Sequence, residues 1–286
     1  MTPIVQSFFH DPTFTASHLV VDPETKEAAV IDPVLDFDHK SGRTGTVFAD
    51  HILAAAARAG ARIGWVLETH AHADHLTAAP YLSGKTGAKI GIGAAIIKVQ
   101  TVFKPIFNVV DMPTDGSQFD HLFEDGERFP IGRLSVEVMA TPGHTPACVS
   151  YKVGDAVFVG DTLFMPDYGT ARADFPGGDA RMLYRSIRRV LALPAETRLF
   201  LCHDYGASGR QGFAWETTVG EERARNIHVH DGIGEEEFVA MRRARDKTLE
   251  MPVLILPSIQ VNMRAGQFPA PEPNGTVYLK LPVNRL

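Results

Sequence analysis

The amino-acid sequence reads as an α/β fold. Two observations carry that reading: β-prone runs alternate with stretches whose apolar residues recur at helical spacing, and four of those runs lead into histidine or aspartate. The composition agrees, because 286 residues that are 44% hydrophobic and 22% charged suffice for a sizeable core.

The elements follow in order. Residues 15–22 and 27–32 are β-prone and flank Pro23-Glu24-Thr25-Lys26, the pattern of a hairpin. Residues 48–60 place Ile52, Leu53, Ala56 and Ala57 at helical spacing, and Gly60 ends the stretch. Residues 63–67 form an apolar strand that runs into Glu68-Thr69-His70-Ala71-His72-Ala73-Asp74-His75, after which residues 76–86 read as a helix. Residues 89–93 read as a strand, 119–129 as an acidic loop, and 134–140 as a period-2 strand leading to His144. Gly154-Asp155 turns a hairpin of residues 149–153 and 156–159, whose second strand ends at Asp161. Leu183, Ile187, Val190 and Leu191 mark a helix within residues 182–193, and the strand 198–201 ends at Cys202-His203-Asp204-Tyr205. Beyond it lie a Gly- and Ser-rich loop (206–212), helical stretches at 221–226 and 235–249, and a Pro-rich tail (252–286) with apolar runs at 253–256 and 277–281. Roughly 35 such residues hardly form their own core, so the tail is expected to pack on the same domain.

Twenty-eight Lys and Arg against 34 Asp and Glu give a net charge of −6, which speaks against a nucleic-acid partner. The apolar runs are too short or interrupted to span a bilayer, and the N-terminus has no basic start before a long apolar run. With only Cys148 and Cys202, the sequence reads as a soluble cytoplasmic protein in a reducing compartment. A homodimer or other homo-oligomer is expected.

Chemistry concentrates in His70-x-His72-x-Asp74-His75, followed by His144, Asp161 and His203. Imidazole and carboxylate are the ligands of zinc and iron, and a strand-ending loop that turns into a helix can aim several of them into one cavity. An open α/β sheet places its chemistry at such strand ends. From ligand types alone, the set favours a binuclear metallohydrolase.

These residues resemble the metallo-β-lactamase superfamily in Thr69-His-Ala-His-Ala-Asp-His75, Thr141-Pro-Gly-His144-Thr145, Gly160-Asp161-Thr162 and Cys202-His203-Asp204-Tyr205, across residues 14–205. The resemblance implies an αββα metallo-β-lactamase-like sandwich with the metal site at one edge, formed by residues 1–205. Residues 206–286 are then a C-terminal extension packed on that domain. In binuclear hydrolases of the superfamily such as glyoxalase II, one metal takes the positions of His70, His72 and His144. The other takes those of Asp74, His75 and His203, and Asp161 bridges.

The run Gly160-Asp-Thr-Leu-Phe-Met-Pro-Asp-Tyr-Gly-Thr-Ala-Arg172-Ala-Asp-Phe-Pro-Gly-Gly-Asp179, with Leu183-Tyr-Arg-Ser-Ile187, resembles the persulfide dioxygenases, also called sulfur dioxygenases. Trp215-Glu-Thr-Thr-Val219, Asn226-Ile-His-Val229 and Leu256-Pro-Ser-Ile-Gln-Val-Asn262 resemble the longer bacterial members. That resemblance implies one Fe(II) per chain on His70, His144 and Asp161, with O2 oxidising the sulfane sulfur of glutathione persulfide to sulfite and releasing glutathione. His72, Asp74, His75 and His203 then become groups that hydrogen-bond the ligands. The sulfur supplies the electrons, which fits the lack of a G-x-G-x-x-G fingerprint. The alternative is a glyoxalase II-like thioester hydrolase with a binuclear site.

Three further residues are candidates for the substrate side. Arg172 and Tyr205 are expected at the cavity as catalytic and substrate-binding groups, against an ion pair of Arg172 with Asp174 or Asp179 and a structural role for Tyr205. Arg210 is a candidate for a glutathione carboxylate, against a solvated loop arginine. Cys148 and Cys202 read as structural, His121 as a surface residue, and His228-x-His230 as lacking the partners of a second metal site. Arg242, Arg243, Arg245 and Lys247 read as a solvated face, charge-balanced by Glu235, Glu236, Glu237 and Asp246. Phe238, Met241 and Leu249 are expected in the core or a subunit interface.

Overall fold

The computed structural model describes residues 1–285. In chain order, the first half holds β1 (Ile4–His10), β2 (Thr15–Val21), β3 (Glu27–Ile31), β4 (Val34–Asp38), β5 (Arg43–Gly45), α1 (Val47–Arg58), β6 (Arg62–Leu67), β7 (Leu76–Thr77), α2 (Ala79–Thr86), β8 (Lys89–Gly93), α3 (Ile96–Ile106) and β9 (His121–Phe123). The second holds β10 (Arg128–Ile131), β11 (Leu134–Ala140), β12 (Val149–Val153), β13 (Ala156–Phe158), α4 (Ala180–Leu191), β14 (Arg198–Phe200), β15 (Glu216–Thr218), α5 (Val219–Arg225), α6 (Glu235–Asp246) and α7 (Ile255–Asn262).

Two six-stranded sheets, ordered β1-β2-β3-β6-β8-β9 and β10-β11-β12-β13-β14-β15, lie between helices. The alternation of side chains along each strand creates the layers. In β3, Ala28 and Val30 face α1, α2, α3 and α7, while Ala29 and Ile31 join Val136, Tyr151, Phe158 and Phe200 between the sheets. In β13, Val157 turns outward to Leu183 and Ile187 of α4 and Phe238 of α6. This is the αββα metallo-β-lactamase-like arrangement. The β3–β6, β6–β8, β8–β9 and β13–β14 pairings are parallel, so β6 and β13 present their carboxyl ends at one edge. The sheets are joined at that edge by the Thr15–His203 bridge and by Ala16 N–H on the Cys202 carbonyl at 2.7 Å.

Helix α4 starts where Asp179 accepts the Met182 N–H at 2.7 Å. Its Arg181 and Arg185 pair with Glu235 and Glu236 of α6. After residue 206, β15 adds an edge strand to the second sheet, α6 lies on α4, and α7 packs against β7.

Several expectations need correction. Residues 76–86 are not one helix: Leu76–Thr77 pairs with β4, and α2 begins at Ala79, with Pro80 in the first turn where a missing N–H is tolerated. Residues 119–129 contain β9 and the start of β10, and His121 lies on β9, 2.6 Å from Glu127. The 242–247 stretch is not a uniformly solvated face, because Arg242 and Asp246 are buried. Phe238 is buried as expected, and Leu249 is outside the core, exposed on a cavity wall. The strand β1 and the helices α3 and α7 have no counterpart in the sequence reading. No helix among the described residues is long and apolar enough to cross a membrane.

Candidate metal centre

The loops after β6, β11, β13 and β14 bring His70, His144, Asp161 and His203 together. Asp32, just past β3 and buried, holds the first of these loops in place. It accepts the Thr69 N–H at 2.7 Å and the Thr69 hydroxyl at 2.8 Å, and lies 3.0 Å from His72 Nε2. Its φ of +50° is left-handed, a conformation that aspartate tolerates better than most residues. Because the Thr69 hydroxyl donates to Asp32, it accepts from His70 Nδ1 at 3.0 Å, which leaves the lone pair of His70 on Nε2. The Asp161 loop comes close to Thr69: Gly160 has φ +51°, and a Cβ there would meet the Thr69 hydroxyl at 2.5 Å.

Similar contacts orient the other imidazoles. His144 donates from Nδ1 to the Arg172 carbonyl at 2.8 Å and turns Nε2 toward Asp161 Oδ2 at 3.6 Å. His70 Nε2 is 3.9 Å from the same oxygen. His203 donates from Nδ1 to the Phe14 carbonyl at 3.1 Å, so that Nε2 lies 3.4 Å from Asp74 and 3.3 Å from Asp161. His75 Nδ1 is 3.2 Å from Asp74. Two sets of ligand atoms therefore converge, His70/His144/Asp161 and His72/Asp74/His75/His203, with the atoms of each set within 4.8 Å of one another.

Five buried atoms of this cluster have no hydrogen-bond partner: His70 Nε2, His72 Nδ1, His75 Nε2, His203 Nε2 and Asp161 Oδ1. An unpaired buried polar atom costs roughly 1–3 kcal/mol, so such a concentration of them fits a bound cation. Burial and the neighbouring His72 and His144 keep His70 neutral, well below the usual histidine range. Burial likewise lowers His144 against the pull of Asp161, and lowers His75 to about 4. Burial opposes charge on His72 as well, yet Asp32 raises it well above the usual value, and Asp74 does the same for His203. The cluster thus separates neutral, ligand-ready imidazoles from imidazoles paired with carboxylates.

A cavity of about 560 Å³ opens over Asp74, His144 and Asp161 and is walled by Phe14, Phe164, Tyr168 and Tyr205. Tyr205 lies on it, with its ring stacked on His203 at 5.5 Å. Arg172 lies on it too, but its Nε and Nη2 contact both oxygens of Asp174 at 2.6 and 2.8 Å, and its Nη1 donates to the Glu250 carbonyl at 2.7 Å. Arg210 is not brought to the cavity wall. Its Nε is 2.8 Å from Asp167 and its Nη2 2.6 Å from Asp204, so two carboxylates already occupy the guanidinium. His228 accepts the Thr170 N–H at 3.0 Å, and neither it nor His230 joins a ligand cluster among the described residues.

Sequence reasoning missed several groups. Asp32 precedes a proline at the end of a strand and had no motif to mark it. Asn262 donates to the carbonyls of His72 and His75, although it is distant in sequence. Cys202 is buried, with Sγ within 4.8 Å of ligand atoms of both Asp161 and His203; its position next to His203 was the available signal. Cys148 is buried beside Thr145, and burial pushes its thiol up to about 12.

Residues 10–203 match the family described as the Metallo-beta-lactamase superfamily. The chain is 55% identical over 293 aligned positions to a probable metallo-hydrolase of Burkholderia pseudomallei, covering 99% of each. It is 50% identical over 275 residues to glyoxylase B2 of Dictyostelium discoideum, covering 95% of this chain and 94% of that protein. To the mitochondrial persulfide dioxygenase ETHE1 of Homo sapiens it is 30% identical over 266 residues, 92% of this chain and 89% of that protein. Among solved structures, ETHE1 from Myxococcus xanthus superposes with a TM-score of 0.73 at 31% identity, over 92% of this chain and all of that one (100%). With histidines and carboxylates gathered at the strand ends of an αββα sandwich and the match running through every one of them, the chain belongs to the metallo-beta-lactamase superfamily.

Proposed function

We propose that this protein is a glutathione persulfide dioxygenase with one Fe(II) per chain, held by His70, His144 and Asp161. The observation that carries this reading is the partnering within the cluster. His72 Nε2 is engaged by Asp32 and His75 Nδ1 by Asp74, while His70 Nε2, the Nε2 of His144 and Asp161 Oδ2 converge on one spot. Two histidines and one carboxylate on a single face are the ligand set of non-heme iron oxygenases. The similarity to persulfide dioxygenases over 92% of the chain supports the same reading.

Iron(II) bound there supplies the redox chemistry that passes both atoms of O2 to the sulfane sulfur. In balance, a persulfide R–S–SH with O2 and one water gives R–SH, sulfite and two protons; the sulfur is oxidised and O2 reduced, so no external reductant is needed. The chain's own residues prepare this reaction. The Asp32–Thr69–His70 relay fixes the lone pair of His70, and the Arg172 carbonyl fixes that of His144. Tyr205 and Arg172 stand at the cavity as catalytic and substrate-binding groups, and the aromatic walls limit the water around the persulfide. Residues 1–205 form the catalytic domain in this reading, with 206–286 packed on it.

A binuclear thioester hydrolase is the second reading, favoured by the unpartnered His72 Nδ1, His75 Nε2 and His203 Nε2 and by the similarity to glyoxylase B2. Metal content of anaerobically purified protein, measured together with O2 uptake on glutathione persulfide, separates the two. About one iron per chain with O2 consumed and sulfite formed supports the dioxygenase. Two metals per chain, no O2 uptake and hydrolysis of S-acylglutathione overturn it.

A further inference from the structure

We propose that Arg245 and Glu250, at the mouth of the cavity, bind the carboxylate and the ammonium of an α-amino-acid end on the substrate. The proposal rests on the reading that the substrate is a glutathione derivative, but it does not depend on which reaction follows.

Three guanidinium groups lie on the cavity wall, those of Arg172, Arg242 and Arg245. Two are already neutralised. Arg172 is matched to both oxygens of Asp174. Arg242, 1% exposed, gives Nε to Asp246 at 2.8 Å and Nη1 to the Thr170 carbonyl at 3.1 Å. Arg245 differs from both: it is exposed and makes no ion pair within 4.0 Å among the described residues. Its guanidinium carbon stands 6.0 Å from the Tyr168 ring centroid, a contact that holds it against the wall.

Glu250 is its counterpart on the same rim. Its backbone carbonyl is fixed by Arg172 at 2.7 Å, and its exposed carboxylate likewise has no ion pair among the described residues. Arg245 and Glu250 therefore line one cavity as opposite charges, both exposed and neither in an ion pair among the described residues. The same cavity is lined by aromatic rings and by Asp74, His144 and Asp161 of the metal cluster. A ligand that fits this gradient carries both charges of a zwitterion at one end and its sulfur at the other. A ligand with only carboxylates at that end would face Glu250 unfavourably. A γ-glutamyl thiol has the required zwitterion, and a volume of about 560 Å³ accommodates a tripeptide-sized molecule.

The test is binding, not turnover. Metal-loaded wild type, Arg245→Gln and Glu250→Gln are titrated calorimetrically with S-methylglutathione, which has no persulfide to oxidise, and with its N-acetyl derivative, which lacks the ammonium. Arg245→Gln is expected to weaken both ligands about tenfold, and Glu250→Gln to weaken S-methylglutathione about tenfold while leaving the N-acetyl form unchanged, each the measure of one charge-assisted contact. Thermal melts of the two variants matching wild type would confirm that the fold is intact. Wild-type affinity in both variants for both ligands overturns the assignment while the glutathione reading stands. If wild type itself takes up no S-methylglutathione, the glutathione reading falls and the assignment with it.

Discussion

One amide group of Asn262 fastens the loop on which the metal centre depends: its Nδ2 donates to the carbonyls of both His72, at 2.8 Å, and His75, at 2.7 Å. Its Oδ1 accepts the Thr77 N–H at 3.0 Å, so both ends of the amide serve the turn between β6 and β7. Asn262→Ala leaves two buried carbonyls and one N–H without partners, a destabilisation of at least about 3 kcal/mol. Metal loss is expected to exceed what the lowered stability alone explains. Dialysis against a chelator, with metal retained by the variant and by an equally destabilised core variant compared at the same temperature, checks this. Equal retention in the two would make Asn262 a general stabiliser.

His144 and Arg172 share a hydrogen bond but divide the work. On the proposed reading, His144→Ala lacks one of the three iron ligands and is expected to lose iron retention and O2 uptake together. Arg172→Ala keeps the backbone carbonyl on which His144 rests, so iron should stay near the wild-type content while turnover or substrate affinity falls roughly tenfold or more. Elemental analysis beside oxygen-electrode kinetics gives both readings, and loss of iron from the arginine variant would make its side chain structural.

Acid sensitivity has an assignable source between the sheets, outside the metal centre. His18 is buried between the sheets; it donates from Nε2 to the Leu201 carbonyl at 3.1 Å and accepts the Ser7 hydroxyl at Nδ1, 2.8 Å away. Both nitrogens are satisfied in the neutral form, and burial lowers the group from 6.5 to about 4. The unfolded chain binds a proton here that the folded chain refuses, so the stabilisation is complete above about pH 6.5 and is lost as pH falls toward 4. The full span is roughly 3 kcal/mol. Urea unfolding of wild type and His18→Gln at several pH values between these limits should show a shallower pH slope in the variant; parallel slopes would place the acid sensitivity elsewhere.

The metal loop was legible because ligand chemistry and spacing coincide in residues 70–75, and because His144, Asp161 and His203 each follow a strand that its own pattern announces. What orients the ligands was not legible. Asp32 and Asn262 reach the loop across about 40 and 190 residues of chain, and no local signal encodes such a contact. Arg242 misled for a related reason. Paired with Asp246 one turn on, it has the spacing of a surface ion pair, and only the approach of the Thr170 carbonyl buries it. The helix α7 was obscured by Pro257 in its first turn, which reads as loop until the packing of Ile255 and Ile259 is known.

The order in which this chain is made therefore matters to its chemistry. The loop bearing His70, His72 and His75 leaves the ribosome long before Asn262, which fastens it, and before His144, Asp161 and His203, which complete the cluster. Until then the early histidines lack both the ligands that complete the cluster and the amide that fixes their loop. Chains truncated before α7 are therefore expected to hold metal less tightly than the full chain, because they lack the Asn262 contacts to His72 and His75.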